Sequence, residues 1–434
     1  MEAAFSIAIF LVSYIFIIME KVNRALVALT GGVLMLCIGI YDWNDAFYSY
    51  IDWHTITLLF SMMVLVSITQ KTGFFEYIAL LLAQKVKGEP VRLLIVISCL
   101  TALGSALLDN VTTVLLFVPV LLNLTSILQL PAFPYLISII FSSNIGGAAT
   151  LIGDPPNIMI GQAVEHLTFT SFLKNMAPVV FIIFICTMFL LYFLFRKSLK
   201  KVKLDPEKIK QLKPEDYLKK TPLLYKSLGV LGLTIVGFLL HPILHVELTT
   251  VAVCGALLLL LLSEKDVQAE KIFQEVEWLT LFFFIGLFIL VGGLQATGVI
   301  DEVAKGIIFA TEGDLPKTAL IILWISGIFS GIVDNIPFVA AMIPIIQEFK
   351  DYGMMNLDPL WWALALGACL GGNGTLVGAS ANVVVAGIAA TYGKGISFLR
   401  FMKYGFPIVI FSLIICTVYI FFRYLIPFMQ ASVQ

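Results

Sequence analysis

The sequence predicts an all-α polytopic membrane protein made of two inverted repeats, each with about five transmembrane helices, a re-entrant hairpin and a broken helix. Three observations lead to this fold class. The chain of 434 residues is 60% hydrophobic and 13% charged, which is far more apolar than a soluble domain. Its second half repeats the first at a constant offset. Helix-breaking motifs interrupt the apolar segments at equivalent positions of both halves.

The membrane spans are predicted from apolar runs, because about 20 such residues cross a bilayer as a helix. The first repeat, 1–195, comprises scaffold helices within 1–70, an amphipathic interfacial helix at 74–87, a hairpin, a broken helix and a last span at 174–195. The second repeat covers 227–434. The five full spans of the first half are predicted at 3–19, 24–40, 55–70, 134–163 and 174–195.

The repeat has an offset of 225 residues. The segment DNVTTVLLFVPV at 109–120 aligns with DNIPFVAAMIPI at 334–345, and GGAATLIGDPPN at 146–157 aligns with GGNGTLVGASAN at 371–382. The offset holds without a gap over more than 100 residues. Two copies of one structural unit are therefore predicted.

The orientation of the halves is predicted from their basic residues. The linker 196–226 carries 11 of the 27 Lys and Arg residues, which places it in the cytoplasm by the positive-inside rule. Lys21 and Arg24 follow the first span, whereas the equivalent loop, HPILHVE, has neither residue type. This bias alternates oppositely in the two halves, so we expect inverted repeats with both termini outside, an architecture typical of transporters.

Each half contains a predicted hairpin, at 91–129 and at 317–350, with an Asp-Asn pair at its tip. Small and polar residues precede both tips, in TALGSALLDN and SGIFSGIVDN, and such residues suit packing against protein rather than lipid. We therefore expect re-entrant hairpins with tips near the membrane midplane. The alternative is two complete spans joined by a surface turn.

Broken helices are predicted at 134–163 and 360–388, where glycines and prolines interrupt apolar sequence. Non-helical backbone at membrane depth is tolerated only inside protein or beside a wet cavity. Its freed carbonyls suit a cation, and its half-helix N-termini suit an anion. The residues predicted to bind substrate or ion are Asp109, Asn110, Thr112, Thr113, Asn144, Gly147, Thr150, Gly153, Asp154, Asn157, Asp334, Asn335, Asn373, Thr375, Gly378, Ser380 and Asn382.

Three acidic residues, Asp109, Asp154 and Asp334, fall within apolar segments, and intramembrane carboxylates are functional candidates. Asp109 and Asp334 could equally cap the second arms of their hairpins. Asp154 aligns with Ala379, so the repeat itself does not require a carboxylate there. We expect a coupling role for it, with a sodium ion bound by Asp109, Asp154 and Asn157 and no other cofactor; the alternative is a purely structural turn.

Other function classes find little support. The net charge of -1 gives no basis for binding nucleic acid, and no nucleophile–base pair, P-loop or zinc motif indicates an enzyme. Arg92 and Arg400 lie at span edges, so no intramembrane arginine is predicted to hold a polycarboxylate. Four tryptophans are interpreted as interfacial aromatic residues: Trp53, Trp278, Trp361 and Trp362.

The two tips and the two breaks, LLDNVTTVLLFVPV, DNIPFVAAMIPII, NIGGAATLIGDPPN and GACLGGNGTLVGASANVVVAGIA, resemble the ArsB/NhaD permease family of the ion transporter superfamily. Within it, they are most similar to the branch of the melanosomal P protein. The resemblance covers nearly the whole chain. It implies an inverted-repeat fold, a homodimer and elevator-type motion of the hairpins and broken helices, and it leaves the substrate open.

The function expected is secondary-active transport of a small ion coupled to Na⁺ or H⁺. The expected location is a bacterial inner (plasma) membrane. Small-anion transport and Na⁺/H⁺ antiport are nearly equal hypotheses. A dicarboxylate, citrate or arsenite permease is one alternative and an ion channel is another. A channel would require a continuous wet path, which paired helix breaks do not suggest.

Overall fold

The computed structural model describes residues 2–19, 21–87, 89–199 and 213–431. Positions 200–212 of the predicted cytoplasmic linker lie outside the described residues. The helices of the first half are α1 (Glu2–Met19), α2 (Arg24–Cys37), α3 (Trp53–Gln70), α4 (Phe74–Lys85), α5 (Pro90–Leu107), α6 (Asn110–Ile127), α7 (Ala132–Gly147), α8 (Pro155–Ala163), α9 (Phe169–Asn175) and α10 (Ala177–Leu199), with a π-helix at Asp45–Tyr50. 

The second half begins after a short 3₁₀ turn, Pro214–Asp216. Its helices are α11 (Pro222–Leu244), α12 (Leu248–Ser263), α13 (Ala269–Glu275), α14 (Trp278–Ala296), α15 (Val299–Thr311), α16 (Leu315–Ile332), α17 (Asn335–Glu348), α18 (Asp358–Gly371), α19 (Ser380–Thr391), α20 (Phe398–Ile420) and α21 (Ile426–Ala431), with a π-helix at Phe421–Leu425. All regular elements of the described residues are helical. 

The molecule is an all-α polytopic membrane protein. Nine helical segments of the described chain are long and apolar enough to cross a bilayer: α1, α3, α5, α6, α10, α11, α14, α16 and the stretch Phe398–Phe428. Their outward faces are covered with large apolar side chains, such as Phe181 at 64% and Leu261 at 73% exposure. Such a surface is stable against lipid and costly in water.

The two halves have matching helices at the sequence offset. Helices α3 and α14 both begin at a tryptophan, and each is followed by a glycine in the left-handed region, Gly73 with φ 72° and Gly298 with φ 74°. That region is open to glycine without a steric penalty. These glycines turn the chain from a span into α4 in the first half and α15 in the second.

The scaffold helices interlock across the halves. Helix α2 packs on α14, and α3 packs on α12, so equivalent pairs exchange partners. A side chain at Gly286 would place its Cβ 2.5 Å from the Leu29 backbone nitrogen. Only glycine permits this approach, which is how small residues join membrane helices.

Each hairpin lies along the broken helix of its own half. Helix α5 packs on α7, and α16 packs on α18. Gly146 faces the backbone of Ala102, and at the equivalent positions Gly371 faces the backbone of Gly327. These close approaches at both repeats lock each break against a hairpin arm and so fix where the tip of the hairpin lies.

The interpretation of all four tryptophans as interfacial residues is wrong for two of them. Trp361 and Trp362 are each only 2% exposed, and the ring of Trp362 packs on Phe172 at 5.1 Å. Trp53 and Trp278 are partly exposed, and both indole N–H groups donate to backbone oxygens. Helix α18 is buried between other helices along nearly its whole length, so its aromatic residues reach protein rather than the interface.

Candidate functional site

The hairpin tips are buried within the protein. Asp109 caps α6 by accepting bonds from the Thr112 amide at 2.7 Å and the Thr112 hydroxyl at 2.6 Å. Asp334 caps α17 by accepting from the Ile336 amide at 3.2 Å. Both aspartates therefore do serve as N-caps. The alternative of an exposed surface turn at either tip is not what the structure contains, since Asp109 and Asp334 are 9% and 8% exposed.

The break between α7 and α8 holds Asp154, which has no exposed surface. The asparagines that follow the two tip aspartates both reach it. The Asn110 Nδ2 lies 3.3 Å from Asp154 Oδ1, and the Asn335 Nδ2 lies 3.2 Å from Oδ1 and 3.3 Å from Oδ2. Two residues 225 positions apart thus converge on one carboxylate, and no Lys, Arg or His of the described chain forms an ion pair with it.

Asn144 joins the two broken helices. Its Nδ2 donates to Asn373 Oδ1 at 3.0 Å and to Asn382 Oδ1 at 2.9 Å. Its own Oδ1 accepts from Asn110 at 3.3 Å. The side chains of both tips and both breaks therefore form one buried polar cluster, which we call the central cluster: Asn110, Asn144, Asp154, Asn335, Asn373 and Asn382.

The two breaks are held open by equivalent bonds. Asn157 donates to the Thr150 carbonyl at 2.9 Å, and Asn382 donates to the Thr375 carbonyl at 2.9 Å. Gly153 and Gly378 lie where a Cβ would come within 2.5 Å of the Gly147 oxygen and 2.8 Å of the Gly372 oxygen, respectively. The amides replace the bonds that an unbroken helix would make.

Ser105 and Ser330 hold the hairpin arms to the breaks, and the sequence analysis missed both. The Ser105 hydroxyl donates to the Ser143 carbonyl at 2.6 Å, and the Ser330 hydroxyl donates to the Ala368 carbonyl at 2.6 Å. Both residues are fully buried. Their spacing equals the repeat offset, so comparison of identical polar residues in the two halves could have found them.

Some buried polar atoms in this region have no partner among the described residues. They are Asn110 Oδ1, Thr113 Oγ1, Asn373 Nδ2 and Thr375 Oγ1. A buried polar atom without a partner costs about 1–3 kcal/mol. Atoms of this kind mark places where a ligand or water completes the bonding.

The structure does not link the three residues predicted to share sodium. Asp109 bonds with Thr112, whereas Asn157 bonds with backbone oxygens and accepts from the Cys369 thiol at 3.3 Å. Cys369, at the repeat position of Asn144, was also missed. Within the described residues no group of three or more His, Cys, Asp or Glu side chains could hold a metal ion. The sodium site stays a prediction.

Arg24 contacts the second hairpin tip and was not among the predicted site residues. It is the first residue of α2, and its Nη1 donates to Asp334 Oδ2 at 2.6 Å and to the Ser380 hydroxyl at 2.7 Å. The Ser380 hydroxyl donates to the same oxygen at 2.8 Å. The prediction placed Arg24 at the edge of the span 24–40, and nothing in the sequence shows which tip the side chain of a helix-initiating arginine will meet.

Two cavities flank the hairpins at repeat-equivalent positions. The larger, about 870 Å³, contains Thr112 in its wall and is also lined by the linker residues Tyr217 and Lys219. The smaller, about 280 Å³, is lined by residues of α8, α14 and α17. Many of their lining residues are repeat partners: Met63 and Phe288, Val66 and Val291, Gln70 and Gln295, Pro119 and Pro344, Glu275 and Tyr50, Glu277 and Asp52.

Comparison with known proteins agrees with this architecture. Residues 14–367 match the profile of the family described as "Citrate transporter". The chain is 42% identical over 429 residues to a 46 kDa membrane protein of Mycobacterium leprae, covering 97% of this chain and 99% of that one. It is 34% identical over 491 residues to the P protein of Sus scrofa, covering 94% of this chain and 58% of that protein.

A solved structure shows the same overall fold. The YdaH transporter of Alcanivorax borkumensis superposes with a TM-score of 0.55 over 91% of this chain and 95% of that chain, at 12% identity. The family and these relatives are transporters or membrane proteins rather than enzymes. Because the family profile covers most of the sequence, and because close relatives align over almost their full length, this chain belongs to the citrate transporter family of integral membrane transporters.

Proposed function

We propose that this protein is a secondary-active transporter of a small ion, coupled to Na⁺ or H⁺ at Asp154. The observation that carries the proposal is a fully buried carboxylate contacted by an amide from each of the two hairpin tips. The two amides come from different repeats, so an ion at this position would lie between the two hairpin tips that are expected to move during transport.

Charge is the physical reason for coupling. Burying an ionised carboxylate without a counter-ion costs several kcal/mol. The neutral amides of Asn110 and Asn335 offset only part of that cost. Asp154 must therefore take up a proton or a cation when its surroundings exclude water, and either one gives the minimal chemistry for linking substrate movement to an ion gradient.

The unequal cavities support alternating access. They have equivalent linings in the two repeats, but one holds about 870 Å³ and the other about 280 Å³. If the repeats exchange conformations, the smaller cavity opens and the larger one closes. In this proposal the hairpins and breaks move as an elevator against the α2–α14 and α3–α12 pairs, with access from the linker side in the present conformation.

Small-anion transport and Na⁺/H⁺ antiport both use this site. The name of the family adds citrate as a further candidate, and Arg24 removes the objection that no arginine lies near the breaks. A channel is disfavoured because the central cluster closes both tips onto the breaks through direct hydrogen bonds. We further propose a homodimer in a bacterial inner membrane, with the linker in the cytoplasm and both termini outside.

The function is tested with purified protein in proteoliposomes under separate Na⁺, pH and anion gradients. The proposal expects saturable flux that is driven by a gradient of Na⁺ or H⁺ and is lost in Asp154→Asn. Asp351→Asn, which removes an exposed carboxylate, is the matched control. Flux that rises linearly with ion concentration and ignores the second gradient would identify a channel instead.

A further inference from the structure

We infer that Arg24 forms an anion-binding subsite at the second hairpin tip. The guanidinium edge that has no protein partner would bind a planar oxyanion of the carboxylate type by donating hydrogen bonds to it. The inference rests on the proposed transport function and adds a residue and a ligand geometry to it. It concerns a place at the edge of the hairpin, separate from the central cluster around Asp154.

The first argument is the bonding of the guanidinium. A guanidinium has five N–H donors in a rigid plane. Nη1 serves both Asp334 and Ser380, while the face of the group stacks on the Phe283 ring at 4.8 Å. Its Nε and Nη2 atoms make no hydrogen bond or ion pair within the described part of the chain. These two nitrogens form the edge that binds a carboxylate through two parallel bonds.

The second argument is the space beside Arg24. A cavity of about 330 Å³ is lined by Lys21, Asn23, Arg24 and Ser380, together with valines of the loop before α2 and of α19. That volume matches a site for a small organic ligand. The Arg24 side chain is 26% exposed, so it is accessible from the cavity and yet fixed by its bonds to the tip.

The third argument is the local charge. Lys21 and Arg24 supply two positive charges, Asp334 pairs with Arg24, and Glu277 lies within electrostatic range of the same guanidinium. Helices α17 and α19 both begin here, at Asn335 and Ser380, and helix N-termini favour anions. The Lys21 ammonium and the N-terminus of α19, which has no side-chain cap, are therefore the groups here that favour an anion.

The first tip lacks these features. The position equivalent to Arg24 is Thr249, which is buried. Its hydroxyl accepts a hydrogen bond from the Gln162 amide and donates one to the His54 carbonyl. Asp109 has no ion pair among the described residues, and the cavity beside Thr112 is also lined by Glu277. Since the repeats share a scaffold but differ at this position, the anion subsite belongs to the second tip alone.

The test measures binding of succinate and of chloride to purified, detergent-solubilised protein by isothermal titration, with Na⁺ held constant. Arg24→Gln should weaken succinate binding by about tenfold or more, since it removes a charge-assisted bidentate contact. Arg24→Lys should also weaken it, because an ammonium keeps the charge but cannot present two parallel donors. Chloride, a single atom, should be much less sensitive to the lysine variant. Arg92→Gln, at an arginine that is 70% exposed, controls for the loss of one positive charge.

A structural role, in which Arg24 only neutralises Asp334, is separated by the double variant. If Arg24 binds the anion, Arg24→Gln with Asp334→Asn stays weak for succinate. If Arg24 only balances the tip, removing both charges restores wild-type affinity, and the inference is overturned. Wild-type protein that exchanges Na⁺ for H⁺ but binds no succinate also overturns the inference while leaving the proposed transport function intact. Gradient-independent flux would instead refute the proposed function itself.

Discussion

Replacing Asp154 with asparagine tests the central claim most directly. The variant keeps the shape of the side chain and removes its charge. Asp154 is fully buried, and it meets the Asn110 and Asn335 amides at 3.2–3.3 Å. An amide at position 154 keeps one acceptor oxygen but turns its own N–H₂ group toward donors. We therefore expect weaker contacts with the tips and no affinity for a cation at this place.

The magnitude follows from linkage. A ligand present at about 100 times its Kd stabilises the folded protein by about 2.7 kcal/mol. For the wild type, that contribution should raise the thermal midpoint in NaCl relative to choline chloride by a few degrees. Asp154→Asn should lose this difference. Without sodium it should be at least as stable as the wild type, because a buried uncompensated charge has been removed.

The assay is thermal unfolding in detergent in the two salts, in mildly acidic and mildly alkaline buffer, with uptake measured in parallel. Protons and sodium compete for one carboxylate, so the sodium effect on the wild type should grow as pH rises. Asp351→Asn, at an exposed position, should behave as the wild type does. An Asp154→Asn protein with an unchanged sodium effect and normal ion-coupled uptake would show that Asp154 is only a turn residue.

Three further predictions follow from the geometry. Asn335→Ala should reduce sodium-linked stability more than Asn110→Ala, because Asn335 contacts both carboxylate oxygens and Asn110 only one; equal losses in the same thermal assay would contradict this. Gly153→Ala should lower the free energy of unfolding by about 1–3 kcal/mol through overpacking and impair uptake, because its Cβ would lie 2.5 Å from the Gly147 oxygen. The control Gly387→Ala, where a Cβ would enter open space, should be neutral. Similar thermal midpoints for the two variants would count against the packed break. A cysteine that replaces Glu215 should resist an impermeant thiol reagent in intact cells, while one that replaces Lys350 should react. Labelling of the wild-type protein gives the background from its native cysteines. Labelling at position 215 from outside would reject the proposed orientation.

The local features of the fold could be predicted because each has a local physical cause. Apolar length sets the spans, glycine and proline set the breaks, and an aspartate before a helix sets the caps of α6 and α17. The observed helices Pro90–Leu107 and Asn110–Ile127 lie where the hairpin 91–129 was expected, and the break between Gly147 and Pro155 lies within 134–163. The repeat offset then carries each local feature to the second half.

Which side chains meet depends on the three-dimensional packing of the helices. No pattern in the sequence shows that Asn110 and Asn335, rather than Asp109 and Asn157, approach Asp154, or that Arg24 crosses from α2 to the second hairpin tip. The burial of Trp361 and Trp362 has the same origin, since a helix surrounded by protein and one facing lipid are equally apolar in sequence. The elements and their twofold repetition could be predicted from the sequence, because helix length, caps and breaks depend on residues near one another in the chain. The contacts between repeats depend on how the helices pack in three dimensions, and there the backbone approach permitted by glycines such as Gly146 and Gly371 determines which polar groups share a buried site.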